Sequence, residues 1–414
     1  MQSEQMKSRT FAVLLTLSSV IGGANLPPKL ATPSGPFGIG RVAYHWTDPS
    51  RPDRYATDPN VHRELMVYLW YPTSENSADA RGAYLPGAKE MDAIPEIQRQ
   101  MRNEFSDKWP LLVSGAIFSH AVERAEAAKR PARFPLVIFS HGTGSTGFTY
   151  TSLIEDLVSH GYAVAAIEHT ETAVAVLFPD GRVIPFHRDA TPPGLSPSER
   201  SSSMMASIPI FINEGAADVR FVLDQLSSLN TSADTNIVAA MGHSAGAEFA
   251  ARACQLDARF KACVDLDGGM VPVAVLPEYP DGATLKQPLL LLEPDRPRSQ
   301  MGGTPAQIEQ YLKKREQQLQ NCPAGSYAIV LESPGLAHPG FSDMPLLLAG
   351  EEGYPETRLV LHNHELIETF IRAFLDKNLK HEKSALLDGR TTSISEATIQ
   401  VYGRATVASQ SSPP

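Results

Sequence analysis

A mostly parallel β-sheet with helices on both faces is the fold this sequence predicts, and three observations predict it. Apolar runs of strand type alternate with helical stretches along most of the 414 residues, the pattern of crossover units laid side by side. Several runs, Phe134–Ser140 above all, lack polar alternates, as strands buried on both faces do. The composition, 42% hydrophobic and 20% charged, is that of a globular chain large enough for a sizeable core. With 46 acidic and 36 basic residues the formal charge is −10 and positive charge is not clustered, which argues against a nucleic-acid partner. The 33 prolines exceed the usual ~5% and predict long, stiffened loops. Three cysteines cannot form a dense disulfide framework, and no CxxC or Cys/His cluster suggests zinc.

At the start, Lys7 and Arg9 precede the largely apolar run Phe11–Ile21, followed by the small residues Gly22, Gly23 and Ala24. This is the shape of a secretory signal over residues 1–24, too short to span a bilayer. A secreted or periplasmic location is therefore expected. No cysteine follows that would carry a lipoprotein anchor. An oxidising destination permits a disulfide among Cys254, Cys263 and Cys322, although core packing is the favoured role of the first two.

The folded body is expected over residues 25–380. An irregular lead-in contains an early strand near 40–45. Leu65–Tyr71 (LMVYLWY) is a strand ended by Pro72. Residues from about 75 to 132 (EIQRQMRNEF, HAVERAEAAKR) turn polar and helix-forming, and are expected to be an insertion between two core strands. Its apolar residues Leu111, Leu112, Val113, Ile117 and Phe118 would pack on the domain or, less favoured, face a membrane or lipoprotein surface. After Phe134–Ser140 come a loop, His141–Gly144, and a helix to Ser159. Tyr162–Glu168 is a strand, and 179–207 is a Pro/Ser-rich excursion expected to form a rim or lid. Helical spacing resumes at 215–229. Strands follow at 236–241, 262–266, 288–292 and 327–331, with helices at 304–319 and 365–379. Residues 381–414 read as a loosely packed tail.

Chemistry is concentrated at Gly242-His243-Ser244-Ala245-Gly246, a G-x-S-x-G pattern between a strand and an Ala-rich helix. Small residues two positions either side of a serine allow a sharp strand-to-helix turn that exposes its hydroxyl at the sheet edge. A serine is a weak nucleophile until a base removes its proton and an acid orients that base. In the order serine, acid, histidine, only His338, His362, His364 and His381 lie late enough. His338 occupies the loop SPGLAHPGFSD directly after a strand. His362 and His364 flank Asn363, read as a helix N-cap, and their spacing as a metal pair has no carboxylate support. His381 lies in the tail. Asp267 and Asp295 both end strands, Asp265 lies deeper, and spacing does not decide among them. The two backbone donors of an oxyanion hole are expected from Ala245 and from Thr143 in the His-Gly loop, with His141 structural rather than the base.

These segments together resemble a known family. FSHGTGSTGFTYTSLIEDLVSHGYAVAAIEHTE, GHSAG, DLDG and GLAHPGFSDMPLL, with GPFGIGRVAYHWTDPSR and LMVYLWYPT before them, look like the plasma-type (group VII) platelet-activating factor acetylhydrolases and their microbial relatives, which are α/β-hydrolases. The resemblance runs from about 35 to 380 in the same order. It implies Asp267 as the acid over Asp295, His338 as the base, and Thr143 and Ala245 as oxyanion donors. It implies a calcium-independent serine esterase, without metal or cofactor, that removes a short or oxidised acyl group from the sn-2 position of a phospholipid. Ala245 stands where animal members carry a larger aromatic residue, and the segments 75–132 and 179–207 are those of microbial relatives, expected at the pocket mouth. A general carboxylesterase, or a polyester or dienelactone-like hydrolase, is the alternative on the same triad. A non-catalytic binding protein is disfavoured because Ser244, Asp267 and His338 are all retained.

Overall fold

The computed structural model of the chain describes residues 28, 30–75, 80–187, 194, 196–268, 285–297, 299, 301, 304–349, 355–388 and 394–403. The expected signal over 1–24 lies outside these residues. Among the described residues no helix is long and apolar enough to cross a membrane. The strands are β1 (Gly38–Pro52), β2 (His62–Thr73), β3 (Arg81–Ala83), β4 (Phe118–Glu123), β5 (Phe134–Ser140), β6 (Ala163–Glu168), β7 (Ala175–Leu177), β8 (Val183–Pro185), β9 (Ala233–His243), β10 (Phe260–Leu266), β11 (Leu289–Pro294), β12 (Ser326–Leu331) and β13 (Ala397–Tyr402). All but the β7–β8 hairpin form one sheet of 11 strands, in the order β13-β12-β11-β10-β9-β5-β6-β2-β1-β4-β3. From β12 to β6 the strands run parallel. This is the α/β-hydrolase architecture expected from the sequence.

Both faces of the parallel strands are buried, which is why their sequences are apolar throughout. On β5, Val137 and Phe139 join Ile154 and Leu157 of the helix Thr151–Ser159 and Phe370 and Phe374 of the helix Thr357–Leu379. Leu136 and Ile138 face the other way, with Val219 and Leu223 of the helix Pro197–Ser228 and Phe249 of the helix Ala245–Leu256. Each such side chain contributes about 1.5–3 kcal/mol by leaving water. The parallel strands from β12 to β6 point their C-terminal ends at one edge, where the loops carrying the site emerge.

Several expectations are corrected. The early strand near 40–45 is the 15-residue β1, paired along its length with β2. Pro72 does not end β2, since the pairing with β6 stops at Trp70 and no ladder hydrogen bond is required of it there. The insertion is only partly helical. It contains the helix Pro95–Phe105, but the first part of HAVERAEAAKR lies in β4, which pairs parallel to β1 at Gly40 and Arg41. Leu112 and Ile117 are buried and Leu111 and Val113 pack partly against the core, while Phe118 is 55% exposed. Within the 179–207 excursion, Val183–Pro185 is β8, and the helix expected from 215 begins at Pro197 and runs through Pro209. Its start is a capping box, Ser196 with Glu199. The last helix begins at Thr357 rather than 365, so Asn363 is interior and not a cap. The tail contributes β13 to the sheet. Cys254, Cys263 and Cys322 are buried free thiols.

Candidate active site

Ser244 joins β9 to the helix Ala245–Leu256 with φ 55° and ψ −127°, a strained conformation for a residue with a side chain. The flanking glycines make the turn possible. A Cβ on Gly242 would lie 2.1 Å from the Gly246 carbonyl oxygen, and one on Gly246 would lie 2.1 Å from the Ser140 carbonyl oxygen on β5. The Ser244 N–H donates to the Leu266 carbonyl at 3.0 Å, fastening the turn to the end of β10. Ala245 opens the helix, so its N–H has no intrahelical acceptor.

Asp267 follows β10, again with positive φ (50°), and is nearly buried. Its N–H donates to Leu292 at 2.9 Å. Its Oδ2 lies 2.6 Å from His338 Nδ1 and 2.6 Å from Arg296 Nη2. Asp265 sits deeper, as period-two alternation requires. Burial pushes its carboxyl up to about 7, and its Oδ1 accepts the Gly268 N–H at 2.7 Å, bracing the turn that presents Asp267. Asp295 is exposed, its N–H on the Leu331 carbonyl, and makes no contact with His338 among the described residues. His338 starts a short turn, His338–Phe341, after β12 and is 44% exposed. Ser244 Oγ makes no hydrogen bond to His338 among the described residues; such contacts commonly close only around substrate.

The loop after β5 runs beside Ser244: a Cβ on Gly142 would lie 3.2 Å from Ser244 Cβ. Gly142 N–H donates to Tyr150 Oη at 3.3 Å, Gly144 N–H to Thr172 and Ser145 N–H to Gly142. The intervening Thr143 N–H has no internal acceptor among the described residues, and Thr143 is exposed. His141 is buried, held down to about 3 by burial, with Nδ1 donating to the Gly142 carbonyl at 2.8 Å and Nε2 accepting the His169 N–H at 3.4 Å. His169 in turn bridges Ser140 Oγ and Asp218, each at 2.9 Å. Burial opposes ionisation of Asp218, but Arg63, His169 and Arg51 hold it far below the usual carboxylate range.

Of the other histidines, His364 is buried and held down to about 4 by burial. His362 is exposed beside Glu396. His381 lies beyond the last helix. Sequence reasoning missed three partners of the site: Arg296, His243 and Tyr150. His243 is buried and held down to about 3, first by burial and then by His338, against whose ring it lies with centroids 4.4 Å apart. Nothing local in the sequence marks Tyr150 or Arg296, because their contacts come from distant segments.

Residues 26–180 and 207–353 match the family described as platelet-activating factor acetylhydrolase, isoform II. The chain belongs to that family. The matched segments include Thr143, Ser244, Asp267 and His338. Among relatives of this acetylhydrolase family, an Arthroderma benhamiae protein named "Probable 1-alkyl-2-acetylglycerophosphocholine esterase" is 27% identical over 58% of this chain and 59% of its own. The platelet-activating factor acetylhydrolase of Cavia porcellus is 27% identical over 51% of this chain and 52% of its own. The chain thus matches little more than half the length of these relatives. A ferulic acid esterase from Streptomyces cinnamoneus superposes with a TM-score of 0.68 and 28% identity, covering 90% of this chain and 99% of that one.

Proposed function

We propose that the protein is a serine esterase for short acyl esters, acting on the sn-2 acetyl or short, oxidised acyl group of a phospholipid. The observation that carries this reading is Asp267 Oδ2 at 2.6 Å from His338 Nδ1, beside a serine held in a strained strand-to-helix turn. Ser244 Oγ attacks the ester carbonyl as His338 takes its proton. The N–H groups of Thr143 and Ala245 receive the developing oxyanion. Asp267 holds the imidazole and steadies the imidazolium. His338 then protonates the departing alcohol, leaving an acyl-serine. Water, deprotonated by His338, releases the acid and restores Ser244. Backbone donors polarise the carbonyl throughout, so the scheme calls for neither calcium nor a cofactor. Family membership favours the phospholipid substrate. Residues 1–24 are proposed as a secretory signal, and 25–380 with the added strand β13 as the hydrolytic body, meeting its substrate at a membrane or lipoprotein surface.

The likeness to a ferulic acid esterase over 90% of the chain favours one other reading, a general carboxylesterase on the same residues. Hydrolysis of a 2-acetyl ether phospholipid in the presence of a calcium chelator, beside p-nitrophenyl acetate and butyrate, separates them. Rapid acetate release from the lipid is expected. Turnover of the aryl esters alone would leave the carboxylesterase, and turnover by a Ser244→Ala variant would overturn both.

A further inference from the structure

Three segments of the site converge on one hydroxyl. Tyr150 closes the turn Gly147–Tyr150, and its buried ring packs on Phe139 with centroids 4.7 Å apart. Its oxygen accepts the Gly142 N–H at 3.3 Å and lies 2.8 Å from His243 Nδ1. A hydroxyl has one proton to give. The Tyr150 oxygen thus accepts from Gly142 and pairs with Nδ1 of the neutral His243 ring, the imidazole tautomer setting which of the two donates. The His243 ring then lies against His338 at 4.4 Å and stacks with Phe341 at 5.7 Å. One short chain of contacts therefore runs from the His-Gly loop, through Tyr150, to the residue before Ser244 and on to the histidine loop.

The loop's other contacts show what this chain fixes. The Gly142–Thr143 peptide has its carbonyl held by His141 Nδ1 at 2.8 Å and by the Ser145 N–H at 3.1 Å. Its direction, and so that of the Thr143 N–H, is set on that side. Tyr150 fixes the preceding peptide through the Gly142 N–H. Without that bond the loop keeps its own contacts and those to His169, Thr172 and Val174, but loses its hydrogen-bonded link to the residue before Ser244.

We infer that Tyr150 and His243 are a positioning pair that keeps the Thr143 N–H in register with Ser244 and His338. Neither takes or gives a proton in the reaction; His243 acts through the His338 ring it packs against. Their role rests on the reading of Ser244 as nucleophile and Thr143 as oxyanion donor. The pair does its work where the oxyanion forms, so its loss lowers kcat and leaves substrate binding largely intact.

The test uses Tyr150→Phe, His243→Ala, His243→Asn and the Tyr150→Phe/His243→Ala double variant, with p-nitrophenyl acetate as substrate and phenylboronic acid as a tetrahedral analogue. Tyr150→Phe is expected to keep its melting temperature within a few degrees and its KM within about twofold, while kcat falls about 10- to 100-fold. Boronic acid affinity is expected to fall by a similar factor. In His243→Asn the side-chain amide offers a hydrogen-bond partner near the place of Nδ1, so that variant should retain more activity than His243→Ala. The double variant should be little worse than the poorer single one, since either change cuts the same link. A Tyr150→Phe enzyme with kcat within twofold of the parent would overturn the inference. So would a lowered kcat with undiminished boronic acid affinity. Turnover by Ser244→Ala would instead defeat the nucleophile assignment, a separate result.

Discussion

Arg296 shares with His338 a single oxygen of Asp267: the guanidinium Nη2 and the imidazole Nδ1 both lie 2.6 Å from Oδ2. A cation on that oxygen offsets part of the carboxylate's pull on the imidazolium, with the neutral His243 ring on the other side. Arg296 is 38% exposed, so solvent screens the effect. The same contact fixes the carboxylate that orients His338, so Arg296→Gln is expected to lower kcat about three- to tenfold with KM within about twofold. Steady-state kinetics of the two proteins on one aryl ester checks this; an unchanged kcat would show that Asp267 holds His338 without Arg296.

Asp267→Asn leaves the geometry but removes the charge that steadies the protonated base, and roughly 10³- to 10⁴-fold loss of kcat is expected. Asp295→Asn, on an exposed residue bound through its backbone, is expected within about twofold of the parent. Steady-state kinetics on both decides, and the reverse ranking would transfer the acid role to Asp295.

Gly246→Ala drives a methyl group into the Ser140 carbonyl, 2.1 Å away, and no rotamer relieves a Cβ. Because that carbonyl is backbone of a central strand, the expected cost is roughly 2–4 kcal/mol. Urea unfolding measures it, and a cost under about 0.5 kcal/mol would contradict the packing described.

Burial holds Asp265 protonated in the folded protein up to about pH 7, whereas an unfolded carboxyl releases its proton near 4. A raised folded value contributes stability that is full below pH 4 and lost as pH rises through about 7. Asp265→Asn abolishes that loss while its amide oxygen still accepts the Gly268 N–H. Relative to the parent, the variant should gain on the order of 1 kcal/mol or more between pH 4.5 and 7.5. Denaturant melts at the two pH values read the difference; a constant offset would place the titration elsewhere.

The central strands and the G-x-S-x-G turn were legible because both depend on local pattern: two-sided burial makes β5 apolar throughout, and close approach demands Gly242 and Gly246. Elements with non-local causes were not. Asn363 resembles a cap by composition, yet inside the helix its amide oxygen accepts from Ser333 Oγ at 2.5 Å and its nitrogen donates to the Pro334 carbonyl, a loop 29 residues away. Phe118–Glu123 is polar enough to suit a helix and becomes a strand because β1 and β3 offer it partners on both sides. Helical spacing was legible only from 215, but the capping box at Ser196 had already started the helix, which runs through Pro209. The Ser244 turn declared itself within five residues, while Tyr150, 93 positions from His243, joined the site only through the fold.

The antiparallel strand Ala397–Tyr402 covers the flank of β12 along six consecutive residues, Ser326 to Leu331. That flank is otherwise a row of unpaired donors and acceptors on a long, strongly apolar sheet, a template for a second molecule to zip onto. The polypeptide beyond the last helix thus moves the sheet's edge from apolar β12 onto a strand carrying exposed Thr398 and Gln400, and clipping it before Ala397 is expected to bare β12 and favour self-association without touching a single residue of the site.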